Sequence, residues 1–405
     1  MMLTRRAFGL TTLGLAVSAT LAACSSTSQD GATEEGKMAL IVSDAGEAAS
    51  EELTKAVEAF TKETKVEVDV KTVSDVSQEL ARGITASPSV DVVVLNPAQL
   101  SSYAGSLHVW DKGSPAVKDA HPALLTSATR QGRISAAPKD VSTLALFINT
   151  SLWQAAGLSE SDYPTTWEQL GQVAATLTSD GVVGLALDAS YARVGAFMIQ
   201  GGGGLTSADG TQATASSEGS VAGLTQVKNL LSAGSAGWGA DLSAGSAADA
   251  FGEGQAAMVV ESEALVKTLA DVYSGVSYTV VELPAGSGGK GTLQFPTFYG
   301  VVEASKHKDD AIKLVEYLTA AERQVALATA ASTVPAGKPA GETWKGKHAD
   351  QAAFLVGVEY SQAVPSAAGV SDVIATFDNE LPGLAGGDPA GILGSAQVNL
   401  QAILS

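Results

Sequence analysis

The chain of 405 residues contains a single cysteine, Cys24, and four histidines, His108, His121, His307 and His348. One cysteine excludes an intrachain disulfide and a cysteine-cluster metal site. The histidines are scattered, with no pair at the i,i+4 spacing of one helix face, so no metal centre and no cofactor is expected. Basic residues are scarce: 24 Lys and Arg stand against 43 Asp and Glu, for a net charge of −19. Such a chain offers no cationic face to a nucleic acid and no attraction to anionic lipid headgroups. Aromatic residues make up only 5%. No apolar run reaches the roughly 20 residues that a spanning helix needs.

Hydrophobic residues are 45% of the chain and charged residues 17%, which provides ample material for buried cores. The length suits two domains or one large bilobal unit. Arg5 and Arg6 precede residues 7–23, a charge-free stretch with the length of a signal-peptide core. That stretch ends Leu21-Ala22-Ala23-Cys24, which resembles a bacterial lipobox, where the cysteine thiol receives diacylglycerol. The segment Thr4 to Leu10 resembles a twin-arginine export signal, with general secretion as the alternative. The reading is therefore a signal peptide over 1–23, lipid attachment at Cys24, and a flexible polar tether over 24–37. Two or three acyl chains give stable anchoring at the outer face of the cell membrane. The folded body then carries no thiol, which suits an oxidising space.

The body opens with an alternation of strands and helices. "MALIVS" (38–43) reads as a buried strand, and Leu53, Val57 and Phe60 share one face of the helix that follows. "KVEVDVKTV" alternates as a half-exposed strand. "SQELARGI" reads as a short helix, and "DVVVLNP" (91–97) as a buried strand stopped by Pro97. This order predicts a doubly wound α/β lobe, in which ligands sit beyond the carboxyl ends of the strands. Those ends are Ser43, Asp44 and Glu47 after the first strand, and Asn96 after the third. Helix capping is the alternative role for Ser43 and Asp44. Further on, residues 132–158 read as a strand-like start, then Pro138-Lys139-Asp140, then an apolar run ending Phe147-Ile148-Asn149. Capping-box spacing at Thr165/Glu168 and at Thr319/Glu322 predicts two helix starts.

The motifs of common enzyme sites are missing. No serine has glycines at both −2 and +2, so there is no nucleophile elbow. Gly286 to Gly291 resembles a phosphate loop but lacks the Ser/Thr after Lys290. Asp/Glu pairs are plentiful, as in any acidic chain, and none stands out.

Several segments in order carry a resemblance: Pro138 to Asn149, Pro164-x-x-Trp167-x-x-Leu170, Gly203-Gly204, Phe251-x-x-Gly-x-Ala-Ala-Met258, and Leu283-Pro-Ala-Gly286. With the lipobox, this series resembles the extracellular solute-binding proteins of ABC importers, in the branch typified by maltose-binding protein. The resemblance covers nearly all of residues 38–400. It implies an α/β, two-lobed periplasmic-binding-protein type II fold with doubly wound sheets and hinge crossings. The lobes would be 38–141 plus 302–332, and 143–300 plus 334–405. Crossings would fall near 140–142, 299–302 and 332–335. It also implies a non-enzymatic, monomeric captor that binds a small polar solute, with carbohydrate favoured, and delivers it to an ABC transporter permease.

Cleft candidates on this reading are Ser43, Asp44, Glu47, Asn96, Asp140, Ser142, Tyr191, Arg193, Glu261, Phe298, Tyr299 and Asp372. Carboxylates and amides would hydrogen-bond solute hydroxyls, and the aromatic rings would stack. Sugar-binding relatives usually carry an aromatic after the Ala-Met strand, where this chain has Glu261-Ser262-Glu263-Ala264. That departure leaves room for a smaller polar or cationic ligand. Two other functions fit the same leader: a lipid-anchored glycoside hydrolase, which needs a carboxylate pair roughly 5–9.5 Å apart, and a surface sensor or adhesin that uses the fold without a transporter.

Overall fold

The structure is a computed structural model that describes residues 36–83, 89–179 and 181–404. The leader and Cys24 lie outside the described residues. The strands of the first third are β1 (Met38–Ser43), β2 (Val68–Val73), β3 (Val92–Leu95), β4 (Thr129–Arg130) and β5 (Arg133–Ile134). The long β6 (Ala137–Asn149) is followed by β7 (Val183–Leu187), β8 (Ala236–Trp238), β9 (Ala256–Ser262) and β10 (Tyr278–Val281). The last three are β11 (Thr292–Val301), β12 (Val334–Pro335) and β13 (Ser361–Ala363). Eleven of these strands join one hydrogen-bonded sheet in the order β2-β1-β3-β11-β6-β9-β7-β8, with β10 and β12 on β6 and β13 on β11.

Two separate cores form on this sheet. In the first, β1 pairs in parallel with both β2 and β3. Five successive β1 residues are buried because helices cover both sheet faces. The Glu47–Thr64 helix turns Leu53, Val57 and Phe60 inward. Phe60 meets Tyr317 of the Lys308–Leu318 helix edge to face at 5.3 Å. The strand order 2-1-3 places a topological switch point between β1 and β3.

In the second core, β7 pairs in parallel with β8 and β9. Leu146, Trp153, Leu185, Met258 and Phe377 pack on one side. Phe147, Phe251, Trp344 and Phe354 pack on the other. The Tyr191–Gln200 and Glu218–Ser232 helices touch backbone to backbone. A Cβ on Gly223 would sit 2.3 Å from the Phe197 carbonyl oxygen, so only glycine permits this approach.

β6 and β11 run through both cores. β6 pairs with β11 over Ala137–Thr143 and with β9 over Leu144–Ile148. β11 changes partner from β13 at Thr292–Gln294 to β3 at Phe298–Val301. β12 lays Val334 and Pro335 against Val141 and Asp140. This ribbon is irregular. Its register shifts between Thr297 and Phe298, leaving Lys139 as a bulge. Pro138, Pro296 and Pro335 have no N–H to donate to it.

β6 is one continuous 13-residue strand that contains Pro138. Two capping expectations change. The helix at 167 is capped by Thr166, whose side chain accepts from the Gln169 amide, while Thr165 donates to the Gln169 side chain at 2.8 Å. Thr319 donates back to the Val315 carbonyl at 2.7 Å, and the next helix opens at Ala321 without a side-chain cap. A threonine at the end of one helix satisfies that helix before it caps the next. Among the described residues, no helix is long and apolar enough to cross a membrane.

Candidate functional site

A cavity of about 410 Å³ opens between the two cores. Pro97, Ser101, Thr126, Ser127, Thr129, Arg130 and Gln131 form the wall on the first core. Tyr191, the turn Thr206–Thr211 and residues 362–368 form the opposite wall.

Local sequence explains both walls. Asn96 caps the Pro97–Tyr103 helix, exchanging two 2.9 Å bonds with Gln99, and so fixes the helix that carries Ser101. Gln131 and Gly132, at φ 51° and 75°, make the tight turn of the β4–β5 hairpin that carries Arg130. Across the cavity, Asp209 accepts from the Ser207 and Thr211 hydroxyls at 2.6 and 2.8 Å. Those bonds hold its carboxyl below the usual carboxylate range. Tyr191 is nearly buried. Its amide donates to Asp378 Oδ1 at 2.6 Å and its ring meets Phe377 edge-on at 6.1 Å. Burial raises its phenol pKa, and the hydroxyl bonds to the Leu205 backbone.

Arg130 joins the walls. Its guanidinium donates to the Ser127 and Thr129 carbonyls at 2.7 and 2.9 Å, to Ser101 Oγ at 3.1 Å, and to Ser366 Oγ at 3.2 Å. Ser101 and Ser366 are themselves 3.1 Å apart. Beneath them the buried Gln294 of β11 donates to Ser127 Oγ and accepts from Ser361 Oγ, both at 2.8 Å. Hydroxyl groups therefore line the cavity, and Asp209 is the only carboxylate among its described lining residues.

Of the residues expected from sequence, Tyr191 alone lines this cavity. Ser43, Asp44, Glu47 and Asn96 are exposed at the carboxyl ends of β1 and β3. Neither Ser43 nor Asp44 caps the next helix; Asp44 bonds the Gly46 amide at 2.9 Å. Arg193 and Glu261 form a bidentate pair at 2.8 and 2.7 Å, tying the Tyr191–Gln200 helix to the end of β9. Burial lifts the Glu261 pKa and Arg193 pulls it back, with burial the larger effect. Asp140 and Ser142 lie in the β6 crossing, where Asp140 accepts from Lys139 and Thr297. Asp372 is exposed in the first turn of the Val370–Glu380 helix.

Phe298 and Tyr299 differ from expectation. They are 0% and 1% exposed and pack in the first core, because the β11 segment that carries them pairs with β3 inside that lobe. They present no stacking face, and none of the five tryptophans lines the cavity. Arg130, Ser101, Gln362 and Ser366 were not singled out from sequence. The Gln-Gly turn after Arg130 was the available signal for the hairpin, but no pattern marked the 362–368 loop. Among the described residues, no group of three or more His, Cys, Asp or Glu is placed to hold a metal ion.

Two α/β lobes, joined by crossing strands over a polar cleft, define a two-lobed binding protein. The chain belongs to the family of bacterial extracellular solute-binding proteins, whose model matches residues 44–325. Similar solved structures include the GacH receptor of Streptomyces glaucescens, solved unliganded and with acarbose. It is 23% identical over 91% of this chain and 98% of that one, with a TM-score of 0.73. The substrate-binding protein Lmo0181 of Listeria monocytogenes, in complex with cycloalternan, is 21% identical over 90% and 98%, with a TM-score of 0.74. The cyclic alpha-maltosyl-1,6-maltose binding protein of Arthrobacter globiformis is 18% identical over 91% and 98%, with a TM-score of 0.79. No curated protein matches the chain. The fold is the two-lobed type II periplasmic-binding fold.

Proposed function

We propose that this protein captures a small polar solute, with carbohydrate favoured, between its lobes and delivers it to an ABC transporter permease. The observation that carries this reading is the 410 Å³ cavity lined by hydroxyl and amide groups from both lobes. Such groups can both donate to and accept from solute hydroxyls. The sugar ligands named for the structural relatives support the carbohydrate class.

The lobes on this reading are 38–141 with 298–332, and 143–294 with 334–405; the β11 crossing falls between Gln294 and Phe298, ahead of the expected 299–302, because Phe298 and Tyr299 pack in the first core. Tyr191 contacts the solute from the second lobe. Ser43, Asp44, Glu47 and Asn96 at strand ends, the crossing residues Asp140 and Ser142, and Arg193, Glu261 and Asp372 complete the proposed cleft surroundings. A lipid on Cys24 would keep the body near the permease after export, as a monomer.

A thermal-shift panel of mono- and oligosaccharides, polyols and small cations tests the reading. A compound that raises Tm and is recovered intact after incubation supports it. Turnover of that compound, or no Tm change across the panel, counts against it.

A further inference from the structure

Arg130 is the only cation among the described residues that line the cavity. It is half-buried, and each of its N–H groups has an acceptor. Nη1 donates to the Ser127 and Thr129 carbonyls at 2.7 and 2.9 Å, and Nη2 to the Pro97 carbonyl at 3.4 Å. The remaining two donors, on Nε and Nη2, reach the hydroxyls of Ser101 and Ser366 at 3.1 and 3.2 Å. Every acceptor is thus a neutral dipole. Among the described residues no carboxylate pairs with this guanidinium, and burial pulls its pKa down with no opposing charge. Asp209, the carboxylate of the opposite wall, is engaged by Ser207 and Thr211 within its own turn.

Arg193 shows what this edge of a guanidinium takes elsewhere in the same chain. It donates from the same two nitrogens, Nε and Nη2, to the two oxygens of Glu261 at 2.8 and 2.7 Å. In Arg130 the two acceptor places of that fork are filled by Ser101 Oγ and Ser366 Oγ, which lie 3.1 Å apart. The three carbonyl bonds fix the plane of the guanidinium. The two hydroxyls are not bound to remain acceptors, because a serine O–H rotates and donates as readily. A carboxylate at this edge would therefore meet two N–H and two O–H donors, with the serines coming from opposite walls.

We propose that the solute carries a carboxylate, held bidentately by Nε and Nη2 of Arg130 with Ser101 and Ser366 as further donors. With the rest of the cavity lined by hydroxyl and amide groups, this makes the solute a sugar acid or a similar polyhydroxy acid. The carboxylate assignment rests on the capture reading and narrows its solute class. A planar, two-oxygen anion matches the fork, and its bonds are roughly twice as strong as those a neutral sugar hydroxyl would make there. The chain's net charge of −19 acts against anions from a distance. Salt screens that field beyond roughly 8 Å, so the contact at Arg130 decides the outcome.

Calorimetric titration of the intact protein with matched pairs tests this: D-glucuronate against D-glucose, D-galacturonate against D-galactose, and D-gluconate against D-glucitol. At least one acid should bind about 10- to 100-fold more tightly than its neutral counterpart. In Arg130→Gln that advantage should vanish. Any shift in the population of closed lobes moves both members of a pair alike, so the ratio reports the carboxylate contact alone. Arg130→Lys, which keeps the charge but not the planar fork, should retain only part of the advantage, and it serves if the glutamine variant folds poorly. Binding by no acid, an acid no tighter than its neutral counterpart, inorganic phosphate bound more tightly than every acid, or an undiminished acid preference in a folded Arg130 variant overturns the assignment. A neutral sugar that binds more tightly than its acid leaves capture standing. An acid that binds through Arg130 but is converted to product leaves the anchor standing and removes capture, so the two readings fail separately.

Discussion

Arg130 and Ser366 meet across the cleft at 3.2 Å, with Ser101 bridging them from the first lobe. The guanidinium is anchored at its base by two backbone carbonyls, so its reach toward Ser366 is set by its own hairpin. A planar fork held in this way loses little freedom when it bonds the opposite wall. Arg130 thus bonds both walls of the cleft at once, a contact expected to favour their approach.

Arg130→Ala should open the unliganded protein, seen as a larger radius of gyration at pH 6. Because apparent affinity falls with the population of the competent state, the solute Kd should rise by about threefold to tenfold. Ser366→Ala should show the same direction with a smaller effect, since Ser101 still holds the arginine. An unchanged radius in both variants would remove the strut from the account.

Arg193→Ala leaves Glu261 buried at 6% exposure without its bidentate partner. Breaking a buried pair from one side costs about 3–5 kcal/mol. Denaturant unfolding should report a loss of that order. The double variant Arg193→Ala/Glu261→Gln should recover much of it. Equal losses in the single and double variants would show that the ion pair is not the source.

Two glycines separate close approach from flexibility. Gly223→Ala places a methyl within 2.3 Å of the Phe197 carbonyl and should destabilise by more than about 1–3 kcal/mol. Gly394→Ala, inside the Pro389–Leu404 helix with open space around it, should stabilise by about 0.5–1 kcal/mol. Thermal unfolding of both variants beside the wild type checks the pair of signs.

Cys24→Ser should release the protein from the membrane fraction into the soluble fraction if the cysteine carries the lipid. Fractionation followed by immunoblotting checks this. A membrane-bound serine variant would point to another anchor.

The periodic parts of the fold were legible in the sequence. Leu53, Val57 and Phe60 were read inward and are inward, and the apolar runs of β1, β3 and β9 are buried strands. Burial leaves a period, and a period can be read from one sequence. The cleft walls were less legible because they are built by turns. Gln131, Ser207 and Ser366 are placed by hairpin geometry and by chain segments far apart in sequence, which no local pattern encodes. Phe298 and Tyr299 illustrate the opposite error: aromatic chemistry suggested a stacking role, while the pairing of β11 with β3 turned both rings into the core. Glu263 stands in the sequence only as a departure from the aromatic usual after the Ala-Met strand; its burial depends on β6–β9 register.

On the capture reading the lobes close over an unconsumed solute. Small-angle scattering at pH 6, with and without the strongest Tm-raising compound, tests it most directly, best in Arg130→Ala, where the open population is enlarged. Saturating compound should contract the radius of gyration, and the same compound should be recovered chemically intact. A bound compound that leaves the radius unchanged, or is converted to product, would contradict it.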